Sequence, residues 1–184
     1  MPKVHLYICR DFPEKTAGES HRLLQKATAA YCTVIGRSPP DLTLNRAEGG
    51  KPFFLHAPDL QFSISHSGGI WVCAFSSSPV GIDLQQIKPI RQDGIARRFF
   101  HPDEIAYLDV HPDAFFALWT AKESYVKLTG RGVAAEFPRV SVISRGEFSP
   151  PPPAHAMVHI PFDEGYVLCL CGDTEEICLH ELTP

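Results

Sequence analysis

The sequence has no long apolar run. Its longest, Ile70 to Phe75 and Tyr166 to Cys171, fall far short of the roughly 20 apolar residues that cross a bilayer. No membrane association is expected. It also lacks a C-x-x-C pair. The six cysteines, Cys9, Cys32, Cys73, Cys169, Cys171 and Cys178, mostly sit inside apolar, strand-like stretches. Reduced core thiols in a cytoplasmic protein are the expectation. Cys169 and Cys171 would share one face of a strand, but no further soft ligands for a metal lie near them. Excess positive charge is missing too. Lys plus Arg number 17 against 21 Asp plus Glu, a net charge of -4. That argues against nucleic acid as partner while leaving room for a local basic site. The first ten residues carry no leader-like apolar core, because His5 interrupts the stretch and Arg10 ends it. They read as a first strand.

What is present is enough for a packed fold. The chain has 184 residues, 44% of them hydrophobic and 21% charged, which suits one compact domain or two small halves. The 17 prolines and 13 glycines imply many turns and short helices. Apolar spacing predicts a helix over Gly18 to Ile35, one starting at Asp93, one opening at Pro102, and the strongest over Asp113 to Leu128. Strands are expected at Lys3 to Cys9, Leu42 to Leu44, Phe62 to His66, Trp71 to Ser76, Val80 to Leu84 and Arg139 to Ser144. Further strands are expected at Ala156 to His159, Tyr166 to Cys171 and Ile177 to His180. The interspersed order gives an α+β (α/β-like) fold. Two halves are expected, 1–60 and 61–184, the second carrying the chemical motifs.

Three segments carry chemistry. In Val80-Gly81-Ile82-Asp83-Leu84-Gln85, a strand would point Asp83 and Gln85 the same way. Two oxygen donors on one face suit a hard cation such as Mg²⁺, and equally a strand-end aspartate capping a turn. In the second, Trp119, Glu123 and Lys127 follow at i, i+4 and i+8 and share a helix face. A surface Glu123–Lys127 pair, worth about 0.2–0.5 kcal/mol, accounts for that spacing as well as a site does. In the third, Phe62 to Gly69, alternation puts Ser63, Ser65 and Ser67 on one face. Hydroxyls ahead of Gly68-Gly69 can meet an anion. His66 points the other way, toward a phosphate or into a satisfied core position.

Taken together and in order, these segments resemble the Sfp-type 4'-phosphopantetheinyl transferases. Gly50-Lys51-Pro52 with Phe62 to Gly68 matches the family's first block, and Val80-Gly81-Ile82-Asp83 its second. Trp119-Thr120-Ala121-Lys122-Glu123-Ser124 with Lys127 matches its third. Ala96 to Phe100 with Glu104 fits the segment between the last two. The resemblance covers roughly residues 20 to 145. It implies a pair of pseudo-twofold-related halves with the active site at their junction. It implies transfer of the phosphopantetheine arm of coenzyme A to a serine of an acidic acyl or peptidyl carrier protein, with release of adenosine 3',5'-bisphosphate. By the resemblance, Asp83 and Glu123 ligate Mg²⁺, Glu123 helps deprotonate the serine, and Lys127 stabilises charge on the pyrophosphate. Arg22 and His66 match contacts to the 3'-phosphate of coenzyme A. Lys51 and Pro52 match residues beside the adenine nucleotide, and Ser65 a phosphate-side contact. A monomer is expected.

The sequence departs from the family pattern twice. Gln85 stands where many members carry a further metal-binding carboxylate and offers one neutral oxygen. Arg10 to Gly18 is short, so the N-terminal half is expected to be reduced. Those departures motivate an alternative, a weakened member that binds coenzyme A or a carrier protein without transfer. Lys88, Arg91, Arg97 and Arg98 could receive an acidic carrier, or form an ordinary solvated face.

Overall fold

The computed structural model describes residues 3–13, 15–154 and 156–183. Its elements run β1 (Lys3–Cys9), α1 (Glu19–Val34), β2 (Leu44–Arg46), β3 (Pro52–Phe54), β4 (Gln61–Ser67), β5 (Ile70–Ser76) and β6 (Val80–Gln86). There follow α2 (Gln92–Phe99), α3 (Pro102–Val110), α4 (Phe115–Thr129) and α5 (Val133–Glu136). The chain ends with β7 (Ile143–Ser144), β8 (Glu147–Phe148), β9 (Met157–Ile160), β10 (Tyr166–Gly172) and β11 (Glu176–Glu181). The architecture is α+β, as expected.

Two sheets dominate. One has the order β11-β1-β5-β4, with β11 parallel to β1 and the other pairs antiparallel. The other has the order β6-β10-β9, all antiparallel. Alternation along the strands explains how they stack. Val4, Leu6 and Ile8 of β1, with Ile70, Val72 and Ala74 of β5, pack against Val80, Ile82 and Leu84 of β6 and Leu168 and Leu170 of β10. The intervening residues, Tyr7, Cys9, Trp71, Cys73 and Phe75, face Leu23, Leu24, Ala27 and Tyr31 of α1. Strand β5 is therefore buried along its whole length, which is why it reads as a continuous apolar run. The outer face of the second sheet, including Cys169 and Cys171, packs on α4 and on Phe100 and Phe137. Helix, sheet, sheet and helix thus form four layers. The six cysteines are all free, and all but Cys178 are buried.

The expected boundary at residue 60 does not separate the sheets, since β5 pairs with β1 and β4 with β5. The expected strand over Arg139 to Ser144 contracts to Ile143–Ser144. Its backbone bonds side chains instead of a ladder: the Val140 carbonyl accepts from Lys122 at 2.6 Å, and the Val142 N–H donates to Glu104 at 2.8 Å. The strand expected at Leu42 to Leu44 starts later, at Leu44. The Asp41 carboxylate accepts from the Thr43 N–H at 2.9 Å and its hydroxyl at 2.8 Å, which holds a turn there. No helix among the described residues is long and apolar enough to cross a membrane.

Candidate active site

The site forms where β4, β6 and α4 meet. Gly81 is the reason they can meet so closely. A Cβ there would lie 1.9 Å from the Ser124 carbonyl oxygen and 2.5 Å from the Leu128 nitrogen. The missing side chain lets α4 lie directly on β6, which sets Asp83 of the strand under Glu123 and Lys127 of the helix. A second close approach fixes the loop before β3. A Cβ on Gly49 would fall 1.5 Å from the Gly130 oxygen.

Strands β4 and β6 are edges of different sheets, joined by side chains. The hydroxyls of Ser63, Ser65 and Ser67 accept the backbone N–H groups of Ile82, Leu84 and Gln86 at 3.1, 3.1 and 3.0 Å. The period-two spacing of the serines matches that of the strand they bridge. Their common face was legible in the sequence, but the hydroxyls meet backbone N–H groups of β6 rather than an anion.

Lys127 bonds Asp83 Oδ1 at 2.6 Å and Ser65 Oγ at 3.0 Å. It reaches across to the strand rather than back along its own helix to Glu123. Ser65 donates its own proton to Asp83 Oδ1 at 2.8 Å. The other oxygen, Asp83 Oδ2, is buried and has no hydrogen-bond partner. Nearby, the Glu123 carboxyl is pushed up to about 7, first by burial and then by the charge of Asp83, with Lys127 opposing. Two carboxylates thus converge with one oxygen orphaned, an arrangement that costs free energy until a cation joins them.

Among the described residues, no group of three or more His, Cys, Asp or Glu side chains converges on a metal position. Mg²⁺ does not need one. It keeps several waters and is commonly held by one or two carboxylates with substrate phosphates. The orphaned Asp83 oxygen and the partly buried Glu123 carboxyl fit that requirement. Gln85 lies two residues further along β6. Its amide donates to the Gln86 carbonyl at 3.2 Å, and it lines a small groove with Ile90, Phe115, Phe116 and Trp119. It is not bonded to the carboxylate pair.

Beside Glu123 and Lys127 opens a cavity of about 340 Å³, walled by Gly49, Gly50, Lys51 and Pro52 on one side and Phe62, Ser63 and Ile64 on another. The Lys51 ammonium donates to the carbonyls of Val80 and Leu128, both at 3.1 Å. It caps the C-terminal end of α4, where cations are favoured, and burial lowers its pKa to about 8. Arg22 and His66 lie apart from the carboxylates. Arg22, in the first turn of α1, is ion-paired with Glu19. His66 is exposed on the opposite face of β4 from Ser65, with its ring 5.1 Å from Phe12.

Sequence reading missed one supporting pair. Glu104 and Lys122 form an ion pair of 2.6 Å, at 0% and 2% exposure. Glu104 also accepts from the N–H groups of His101 and Val142. The pair ties α3 and residues 140–142 to α4 at the residue next to Glu123. A lysine and a glutamate 18 residues apart give no local signal of this.

Comparisons with known proteins bear on this geometry. A family model described as the 4'-phosphopantetheinyl transferase superfamily matches residues 79–171, which carry Gly81, Asp83, Glu123 and Lys127. A 4'-phosphopantetheinyl transferase from Bacillus subtilis is 33% identical over 190 residues, spanning 92% of this chain and 81% of its own. The 4'-phosphopantetheinyl transferase Sfp of Bacillus subtilis strain 168 is 35% identical, over 89% of this chain and 78% of its own. The 4'-phosphopantetheinyl transferase HetI of a Nostoc species is 34% identical, over 67% and 56%.

Proposed function

The chain belongs to the 4'-phosphopantetheinyl transferase superfamily, and from that premise we propose how its residues work. It transfers the 4'-phosphopantetheine arm of coenzyme A to a serine of an apo carrier protein and releases adenosine 3',5'-bisphosphate. The supporting observation is the convergence of Asp83, Glu123 and Lys127, from two separate elements, beside one cavity. Asp83 and Glu123 would hold Mg²⁺, which when bound would supply positive charge against the pyrophosphate and the departing phosphate.

The chain's own groups do the rest. Phosphoryl transfer depends on positioning and charge neutralisation more than on covalent help from the protein. The cavity wall at Gly49 to Pro52 has no bulky polar side chain other than Lys51, so the nucleotide end of coenzyme A can lie against backbone. The Lys127 ammonium, fixed by Asp83 and Ser65, faces the pyrophosphate and offsets negative charge as the bridging P–O bond breaks. Glu123 takes the proton of the attacking serine. The new bond joins the serine oxygen to the phosphorus bearing the pantetheine, and the nucleotide leaves as a phosphate anion. Arg22 and His66, at the α1 end of β4, hold the 3'-phosphate. The partner is an acidic carrier met by the basic residues of α2 and the loop before it.

The test is direct. Purified protein, coenzyme A, Mg²⁺ and several apo carrier proteins are incubated together, and the carriers are weighed by mass spectrometry. Gain of one phosphopantetheine mass is expected, and Glu123→Ala is expected to abolish it while leaving the melting temperature near that of the parent. No gain on any carrier overturns the reading.

A further inference from the structure

The Ser65 hydroxyl has no capacity left for a ligand. A hydroxyl has one proton to give and two lone pairs to receive. Ser65 gives its proton to Asp83 Oδ1 at 2.8 Å. It receives the Leu84 N–H at 3.1 Å and the Lys127 ammonium at 3.0 Å. Its residue is buried at 6% exposure. A phosphate contact would have to break one of these three bonds.

We propose that Ser65 is a positioning residue, which turns the Asp83 carboxylate so that Oδ1 is held within the protein and Oδ2 faces the cation. The proposal rests on the Mg²⁺ reading above. It reassigns the residue that the family resemblance places against a phosphate. The geometry is specific in three ways. Ser65 and Lys127 both bond the same oxygen, Oδ1. Oδ2 is the oxygen left unpartnered. Ser65 is in turn anchored by the backbone of Leu84, the residue next to Asp83, so strand and carboxylate are set by one atom. Groups that orient a metal-binding side chain in this way commonly change metal affinity or activity by about 10–100-fold when removed.

The serine row supplies its own control. Ser67 makes the same kind of bond to the β6 backbone, accepting from the Gln86 N–H at 3.0 Å, and touches neither carboxylate. Ser67→Ala should therefore remove the same strand-bridging bond as Ser65→Ala without touching the carboxylates. Only Ser65→Ala should lose metal.

Mn²⁺ is titrated into each protein with coenzyme A present and no carrier, and free Mn²⁺ is read from its paramagnetic resonance signal. Ser65→Ala is expected to bind Mn²⁺ at least about tenfold more weakly than the parent, with Ser67→Ala within about twofold. In turnover, Ser65→Ala should need more Mg²⁺ for half-maximal rate while its KM for coenzyme A, at saturating Mg²⁺, stays put. A raised KM for coenzyme A with unchanged Mn²⁺ affinity overturns the proposal and returns Ser65 to the phosphate. Equal Mn²⁺ loss in both variants overturns it as well, since the effect is then one of strand pairing. A parent protein that binds no Mn²⁺ overturns the metal reading itself, and the proposal with it.

Discussion

Gly81→Ala tests how the fold makes the site. The added methyl would start 1.9 Å from the Ser124 carbonyl oxygen, and both near neighbours are backbone of α4. Reaching an ordinary 3.4 Å contact requires the helix to retreat by roughly 1.5 Å, the difference of those two distances. Overpacking of this kind costs about 1–3 kcal/mol. The same retreat carries Glu123 and Lys127 away from Asp83. A misplacement of about 1 Å can cost on the order of a hundredfold in rate. Denaturant unfolding should show the stability loss with an unchanged slope. Transfer to a carrier, measured at a temperature where the variant is folded, should fall about a hundredfold or more. A variant that folds with parental stability and transfers at the parental rate refutes the claim that this close approach assembles the site.

Other predictions follow from the same contacts. Lys122→Met leaves the Glu104 carboxylate, at 0% exposure, buried without its cation and should destabilise the protein by about 3–5 kcal/mol in urea. Parental stability would show that the pair contributes little. Glu123, free of metal, carries a carboxyl pushed from 4.5 to about 7. Its folded form binds the proton more tightly, so its contribution to stability is complete below about pH 4.5 and is lost as pH rises through about 7. Glu123→Gln should therefore raise the metal-free melting temperature at pH 8 and not at pH 4.5. The ceiling is about 3 kcal/mol, less for the part of the side chain that water reaches. An equal change at both pH values contradicts the assignment. Gln85→Glu adds a third carboxylate on the strand face that holds Asp83 and should lower the Mg²⁺ concentration for half-maximal rate. An unmoved titration places that side chain outside the metal's surroundings.

The sequence showed what depends on neighbours along the chain. Strand β1, helix α1 and helix α4 were each legible in the period of their apolar residues. The Asp83 strand and Glu123 helix were legible as separate pieces, and the motif order supplied the family. What the sequence hid depends on distant partners. Gly81 reads as an ordinary strand glycine until α4 is laid across it. The serine row of β4 shows its common face in sequence, but the N–H groups it accepts belong to a strand of the other sheet. Lys51 reads as a ligand contact, and the structure places its ammonium on one carbonyl of β6 and one near the end of α4. The Val140–Val142 alternation reads as a strand, yet Lys122 and Glu104 engage backbone groups a ladder would need. The Glu123–Lys127 spacing reads as a surface ion pair because the competing partner, Asp83, is 44 residues away.

The measurement closest to the central claim is Mg²⁺-dependent labelling of an apo carrier, compared between the parent and Asp83→Ala. The parent should add one phosphopantetheine per carrier serine and lose that activity when the metal is chelated. Asp83→Ala should add none at any attainable Mg²⁺ concentration while still melting cooperatively. Labelling that survives chelation, or survives loss of Asp83, contradicts the claim that this carboxylate pair and its cation carry the reaction.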